Sequence, residues 1–360
     1  MNDNDKSYLL TEDGFGVHTF ELNFSSRVWK DYYTVLKNVR SSGCYVVTNE
    51  NKKRIPVIPK NHKGIRMYIG QTENVWNIKV IVTPRMLLDN DSSPISILRC
   101  CDSMKEMEVR FNAAMFEILG EGFRLDDFFL SRVDCCVNIM LSETYSAARY
   151  IKLIRRSIMY NSNAKIIEYG SDDPNVDEKN RHSFRIETDG LQFTAYDKYF
   201  QLENRGKDYE SISDSLLRLE IAVGRESIRR VKIDNNLENN RKILRYFVSS
   251  GKKVFNDFIK KHFYNGAYCS YQFMKVLISD SDCTHKIKER MLEFSKAQYN
   301  YDYIMDIKNI FLNEIGGSKY GSMIKAFNRL GISPISLSTR DQHGRTMIPG
   351  LYTLLQLGKE

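Results

Sequence analysis

Three short stretches carry the residues best suited to chemistry: Ser131-Arg-Val-Asp134, Tyr196-Asp-Lys198 and Leu217-Arg-Leu-Glu220. Side chains alternate along a strand, so Arg132 and Asp134 share one face, as do Arg218 and Glu220. The opposite face of the first stretch is the apolar stripe Val133, Cys135, Val137, Ile139 and Leu141. Tyr196 enters through a hairpin. Asp189-Gly190 is a favoured pair for a two-residue turn. That turn sets Thr188 opposite Leu191, Ile186 opposite Phe193, Phe184 opposite Ala195 and Ser183 opposite Tyr196. Tyr196 and Lys198 then lie on the polar face with Arg185 and Glu187. If these strands share one sheet, a single surface collects a phenol, two carboxylates and several cations. Two carboxylates can hold a divalent metal such as Mg²⁺ or Mn²⁺ through oxygen. A tyrosine beside such a metal can attack a phosphate while cations offset the developing charge. A lysine near the phenol favours its ionised form. A second reading fits the same residues: arginine–acid alternation on an exposed sheet face forms solvated ion pairs, each contributing about 0–1 kcal/mol.

Other candidates are weaker. His182 opens the hairpin and is a candidate metal ligand, although the register points it away from Tyr196. His18 falls with Phe20 on the presumed core face of its strand. No His-x-His or His-x-x-x-His pair occurs, and neither a phosphate-cradling P-loop nor a G-x-G-x-x-G stretch is present. Between Arg225 and Lys261 basic residues outnumber acids and alternate with Tyr246, Phe247, Phe255 and Phe258. Arg229, Arg230, Lys252 and Lys253 there suit either phosphate contacts or a solvated helix face.

The elements that must position these groups follow from periodicity. Gly16–Phe24, Arg54–Pro59, Gly64–Gly70 and Trp76–Thr83 read as strands. A helix is expected over Ser103–Leu119, with Met104, Met107, Phe111, Ala114, Met115 and Ile118 on one face and Gly120 closing it. Ser131–Leu141 is a strand. Ser142 then caps a helix to about Met159, buried through Ala147, Ile151, Ile154 and Ile158, with Arg149, Lys152, Arg155 and Arg156 outward. Gly170–Asn180 reads as a polar loop. The hairpin spans His182–Thr188 and Leu191–Leu202, and Leu216–Val223 is a further strand. Beyond Gly224 the pattern is helical to the end: Asn239–Phe263, Ser270–Ile278, Ile287–Ala297, Tyr301–Ile315 and Tyr320–Leu330. The expected class is α+β: a sheet-rich unit over residues 1–224, then a helical, basic unit over 225–360. The order of elements in the middle third echoes the first third, so an internal duplication is one reading of the sheet-rich unit.

Composition bounds the rest. The chain has 360 residues, 42% of them hydrophobic and 27% charged, which excludes a mainly disordered chain. Lys and Arg number 53 against 45 Asp and Glu, for a net charge of +8, a mild lean toward polyanionic partners. No apolar run is long enough to span a membrane, and the polar N-terminus is not a secretory signal. The seven cysteines include two adjacent pairs and no C-x-x-C, pointing to buried thiols in a reducing compartment.

In its order of motifs the stretch of about 130–230 resembles the gene II/X-type rolling-circle replication initiators of filamentous phages and their plasmid relatives. The resemblance rests on Ser131-Arg-Val-Asp134, a basic helix, Arg181-His182 opening a hairpin, Ala195-Tyr196 with Lys198, and Leu217-Arg-Leu-Glu220. The tail with Lys325-Ala-Phe-Asn-Arg329 is loosely similar. The resemblance implies an antiparallel-sheet nickase-like domain in which Tyr196 attacks one phosphodiester at an origin and keeps the 5′ phosphate, with a divalent metal; Lys198 joins Tyr196 as a catalytic candidate from the residue reading above. Asp134, Glu220 and His182 are the metal-ligand candidates, and Arg132, Arg185, Arg218, Arg229, Arg230, Lys252 and Lys253 the DNA contacts. Origin DNA, a host helicase and a host polymerase would be the partners, in a bacterial cytoplasm. A mobilisation relaxase shares this chemistry, and a DNA-binding protein without chemistry is the non-enzymatic alternative.

Overall fold

The computed structural model describes residues 8–46, 54–89, 95–141, 146–159, 165–168, 182–188, 190–204, 215–297, 304–337 and 346–357. The first half begins with a long strand, β1 (Tyr8–Ser26), followed by α1 (Trp29–Ser41), whose Tyr32, Val35 and Val39 are buried at helical spacing. Then β2 (Tyr45–Val46), β3 (Arg54–Ile58), β4 (Ile65–Gln71) and β5 (Trp76–Val82) form an antiparallel meander that returns β5 to the side of β1. A short α2 (Pro84–Leu88) and α3 (Ser103–Leu119) lead to the second half. The expected bounds of α3 and its buried face are both found, with Gly120 at a positive φ of 96° closing it.

The second half repeats the plan. A long β6 (Phe129–Leu141) is followed by α4 (Ala147–Arg156). Next come β7 (Lys165–Glu168), β8 (Ser183–Thr188), β9 (Leu191–Asp197), a short α5 (Lys198–Glu203) and β10 (Leu216–Gly224), which returns to β6. All ten strands form one sheet in the order β2-β3-β4-β5-β1-β6-β10-β9-β8-β7, with every described pairing antiparallel. The two five-strand halves mirror each other about the β1–β6 seam, where Thr19 pairs with Asp134. The hairpin register is the expected one, Ser183 opposite Tyr196 through Thr188 opposite Leu191. Gly190 has a φ of 78°, a conformation glycine adopts freely; Asp189 lies outside the described residues.

Several expectations change. The hairpin's second strand stops at Asp197, because Asp197 accepts a hydrogen bond from the Phe200 amide and so caps α5. Lys198 therefore starts a helix rather than continuing a strand. The cap of α4 is Ser146, which accepts from the Arg149 amide; Ser142 and the loop expected at 170–180 lie outside the described residues. Arg155 and Arg156 are buried rather than outward, and Arg156 Nη1 donates to the Ser336 carbonyl at 3.4 Å.

The last third is not wholly helical. After α6 (Arg225–Asp234) and α7 (Asn240–His262) comes β11 (Ala267–Ser270). There follow α8 (Tyr271–Ser279), α9 (His285–Ala297), α10 (Ile304–Ile315) and α11 (Gly317–Arg329). Then come β12 (Ile332–Leu337), β13 (Met347–Ile348) and α12 (Leu351–Leu354). Strands β12, β11 and β13 make a small second sheet with β11 and β12 parallel. All six residues of β12 are buried, so it shows no alternation to read.

The large sheet has two unlike faces. Helices α1, α3, α4 and α7 pack on one of them, and the buried side chains form a core that runs on past residue 224 without a break. Phe193 of β9 stacks on Phe258 of α7 with centroids 5.5 Å apart and meets Phe263 at 5.1 Å. The other face carries the polar side chains. Replacing Phe193 by Ala removes a fully buried ring that ties sheet to helix, so stability should fall by roughly 3–5 kcal/mol. Urea unfolding followed by near-UV circular dichroism measures this; a loss below about 1 kcal/mol would mean α7 is not held through this contact.

Candidate active site

The open face of the second half is built from three neighbouring strands. Arg218 of β10 pairs with Tyr196 on one side and Asn138 on the other. Glu220, two residues along, pairs with Thr194 and Cys136. Glu220 thus sits diagonally beside Tyr196, close enough for side chains to meet. The Tyr196 hydroxyl donates to Glu220 Oε1 at 2.7 Å. Arg218 lies under both. Its Nε donates to Asn138 Oδ1 at 2.6 Å and its Nη2 to the Ile95 carbonyl at 2.7 Å. Its Nη1 is buried without a hydrogen bond, 3.8 Å from Glu220 Oε1.

Helix α5 and the segment around Ile95 cover this end of the face. Leu202 of α5 packs on Leu216 with Ile95 and Tyr199 around them, a small apolar cluster apart from the main core. Lys198 is buried, with Nζ 5.7 Å from the Tyr196 ring centroid and 2.8 Å from Gln201 Oε1. The ammonium therefore lies over the ring.

β1 supplies the rest of the site by a bulge. Val17 pairs with Cys135 and Thr19 with Asp134, leaving His18 as an extra residue. Val17 and Phe20 both enter the core, while His18 and Thr19 turn to the polar face. The expected placement of His18 beside Phe20 in the core is thereby overturned, since simple alternation holds only without a bulge. His18 Nδ1 lies 3.5 Å from Glu220 Oε1. Asp134 accepts from the Thr19 hydroxyl and, at 2.6 Å, from Arg132 Nε.

Burial sets the protonation states. The Tyr196 phenol is pushed well above its usual range, first by burial and then by the Glu220 charge, against the pull of Arg218. It is protonated at neutral pH, contrary to the ionisation expected from a nearby lysine. Burial drives His18 well below its usual value, and the cations Arg218, Lys198 and Arg66 add to this, so the ring is neutral. Burial raises Asp134 to about 6, against the pull of Arg132 and with a contribution from Glu220. Cys136, beneath Glu220, is a neutral thiol pushed up to about 12 by burial.

Other expected residues stand elsewhere. His182 does not join the acids: it extends the β8–β9 ladder by accepting at its carbonyl from the Asp197 amide at 2.9 Å. Its ring stacks on Phe200 at 3.6 Å, and Nδ1 lies 3.3 Å from Asp197 Oδ2. Arg218 is fully buried and braces the site from within, so it cannot serve as a surface DNA contact. Arg132 and Arg185 keep to the polar face, the latter 3.7 Å from Glu187. Arg229, Arg230, Lys252 and Lys253 are exposed on α6 and α7. Helix α7 covers the face opposite Tyr196, so Lys252 and Lys253 are separated from the phenol by the sheet.

Among the described residues no three His, Cys, Asp or Glu side chains converge to hold a metal. His18 and Glu220 nevertheless present two suitable donors side by side, one a neutral imidazole. The Glu220 carboxylate is a donor of the kind Mg²⁺ or Mn²⁺ takes, with water and phosphate oxygens in the remaining positions, whereas the His18 imidazole suits softer divalent ions. Compared with known proteins, the chain matches no family model and no curated sequence.

Asp134 titrates near 6 in the fold against 3.8 when free, so the folded state holds its proton more tightly. The stability this contributes is complete below about pH 4 and is lost as pH rises through 6, up to about 3 kcal/mol. Urea unfolding of wild type and Asp134→Asn in metal-free buffer should show their stability difference changing by that order between about pH 4 and 7. A pH-independent difference would remove the buried acid from the account.

Proposed function

We propose that this chain is a metal-dependent DNA nickase and ligase that cuts and rejoins one strand at an origin, of the kind that starts rolling-circle replication, acting through Tyr196. The observation carrying the reading is the 2.7 Å hydrogen bond from the Tyr196 hydroxyl to Glu220 Oε1, with the buried Arg218 beside it. A nucleophile, a base and a cation that can receive charge stand at one point. The nickase-like character of the sheet belongs to the same reading, as does the resemblance carried by the Asp134, Tyr196 and Glu220 motifs.

The phenol is protonated at rest, so attack needs its proton removed. Glu220 takes it as the Tyr196 oxygen bonds to phosphorus. The bond from phosphorus to the 3′ oxygen breaks, and that oxygen receives, through solvent, the proton that Glu220 took, which leaves Glu220 ionised again. The 5′ phosphate remains on Tyr196 as a phosphodiester, and rejoining is the same step reversed. The buried Nη1 of Arg218, which makes no hydrogen bond, offsets the charge that builds on the phenolic oxygen as its proton leaves. Lys198 over the ring adds positive potential and holds the ring in place. A divalent ion held by His18 and Glu220 would supply Lewis-acid polarisation of the phosphoryl oxygen. Origin DNA would be the substrate, with host replication proteins extending the freed 3′ end.

The alternative is a DNA-binding protein without chemistry; a phenol standing far from both acids would favour it, and the Tyr196–Glu220 contact supports the enzymatic reading instead. Incubating the protein with its element's supercoiled origin and Mg²⁺ or Mn²⁺ should give nicked circles with protein on the 5′ end. Tyr196→Phe should abolish nicking and keep DNA binding, while Glu220→Gln should slow it by roughly 10²–10⁴-fold. Cleavage by Tyr196→Phe at the wild-type rate would move the nucleophile elsewhere.

A further inference from the structure

The mirrored sheet places a second polar row in the first half. Counting from the Thr19–Asp134 pair at the seam, Asn23 is four residues along β1 and Asn138 four residues along β6. Asn138 pairs with Arg218, which pairs with Tyr196. Asn23 pairs with Lys79, which pairs with Tyr68. Asparagine, cation and tyrosine recur in the same order on equivalent strands. The next row differs. Where the second half has Glu220, the first half has Ile81, opposite Arg66 and Glu21. Glu21 is instead paired with Lys79 at 2.7 Å. Tyr68 thus has no carboxylate in the place that Glu220 occupies beside Tyr196.

What the first half keeps suits binding without chemistry. Tyr68 is half-buried, with an aromatic ring at an open sheet surface, and Arg66 beside it is exposed. The charge of Arg66 reaches the catalytic half, where it acts on His18. Aromatic rings with flanking cations bind a single strand by stacking bases and contacting phosphates. From β4 to β9 the sheet order gives five strand intervals, or about 24 Å at about 4.8 Å each.

We propose that Arg66, Tyr68 and Lys79 form a second, non-catalytic subsite that holds single-stranded DNA running across the open face away from Tyr196. This rests on the reading of Tyr196 as a DNA-cleaving nucleophile for the identity of the strand. The first half would then be a binding counterpart of the catalytic half.

The test compares fluorescence anisotropy of short and long labelled single strands, of about 4 and about 14 nucleotides, in the non-cleaving Tyr196→Phe background. The long strand should bind more tightly, and Arg66→Ala with Tyr68→Ala should weaken it about 10- to 100-fold while leaving the short strand unchanged. Tyr68→Trp should retain the long-strand affinity, and the surface reversal Arg66→Glu should weaken it without touching the core. Unchanged long-strand affinity in these variants, equal loss on both lengths, or a preference for duplex would overturn the subsite. Nicking is scored separately on chains with Tyr196 intact. Nicking with no effect of Arg66 and Tyr68 on binding sinks the subsite alone. Length-dependent binding that needs Arg66 and Tyr68, in a protein that never cleaves, upholds the subsite and sinks the nickase reading.

Discussion

A ten-stranded antiparallel sheet with helices on one side obliges alternate side chains to part company. Along β6 and β10, Val133, Cys135, Val137, Leu219, Ile221 and Val223 go to the helical side and are buried there. The residues between them must then accept the other side: Asp134, Cys136, Asn138, Arg218 and Glu220. The driving force is burial of the apolar set, at roughly 25 cal/mol per Å². The polar set is a consequence, gathered on one surface because the strands are in register. Everything proposed for Tyr196 depends on this sorting, since one residue of slip would send Glu220 into the core and Ile221 to the phenol.

Gathering polar groups is costly where they are also covered. Arg218 is wholly buried beneath α5 and the Ile95 segment, and a buried charge persists only when its donors find acceptors. Asn138, the Ile95 carbonyl and the neighbouring Glu220 answer most of that demand. The same burial keeps Tyr196 protonated, His18 neutral and Asp134 titrating near 6. In a covered polar cluster of this kind the titrations are coupled, because a change in one charge moves several groups at once.

The seam between β1 and β6 gives the sheet its second organising feature. Thr19 and Asp134 face each other there, and the strand order reads alike outward from them. The halves are not equal in chemistry. An isoleucine at the place of Glu220 leaves the first half without an acid beside its tyrosine, whereas the bulge at His18 brings a first-half residue into the second-half site. The site is therefore shared across the seam, although Tyr196 and Glu220 come from one half.

The amino-acid sequence by itself determined most strands of the large sheet, the bounds of α3, the hairpin register and the common face of Tyr196, Arg218 and Glu220. These follow from local period-2 and period-3.6 patterns and a turn pair whose geometry allows one register. It did not reveal β11, β12 or β13, because short strands buried on both sides carry no alternation. It misplaced His18, since a bulge adds one residue through the fit of two strands far apart in the chain. The buried positions of Lys198, Arg155 and Arg218 were hidden for a related reason: what covers a side chain belongs to other segments. Tertiary structure alone decided that Tyr196 meets Glu220 at hydrogen-bond distance, that His182 turns to Asp197 instead, and that the basic α7 lies behind the sheet. Periodicity assigns a residue to a face; only the packed chain decides which groups on that face come within a few ångströms and what shields them from water.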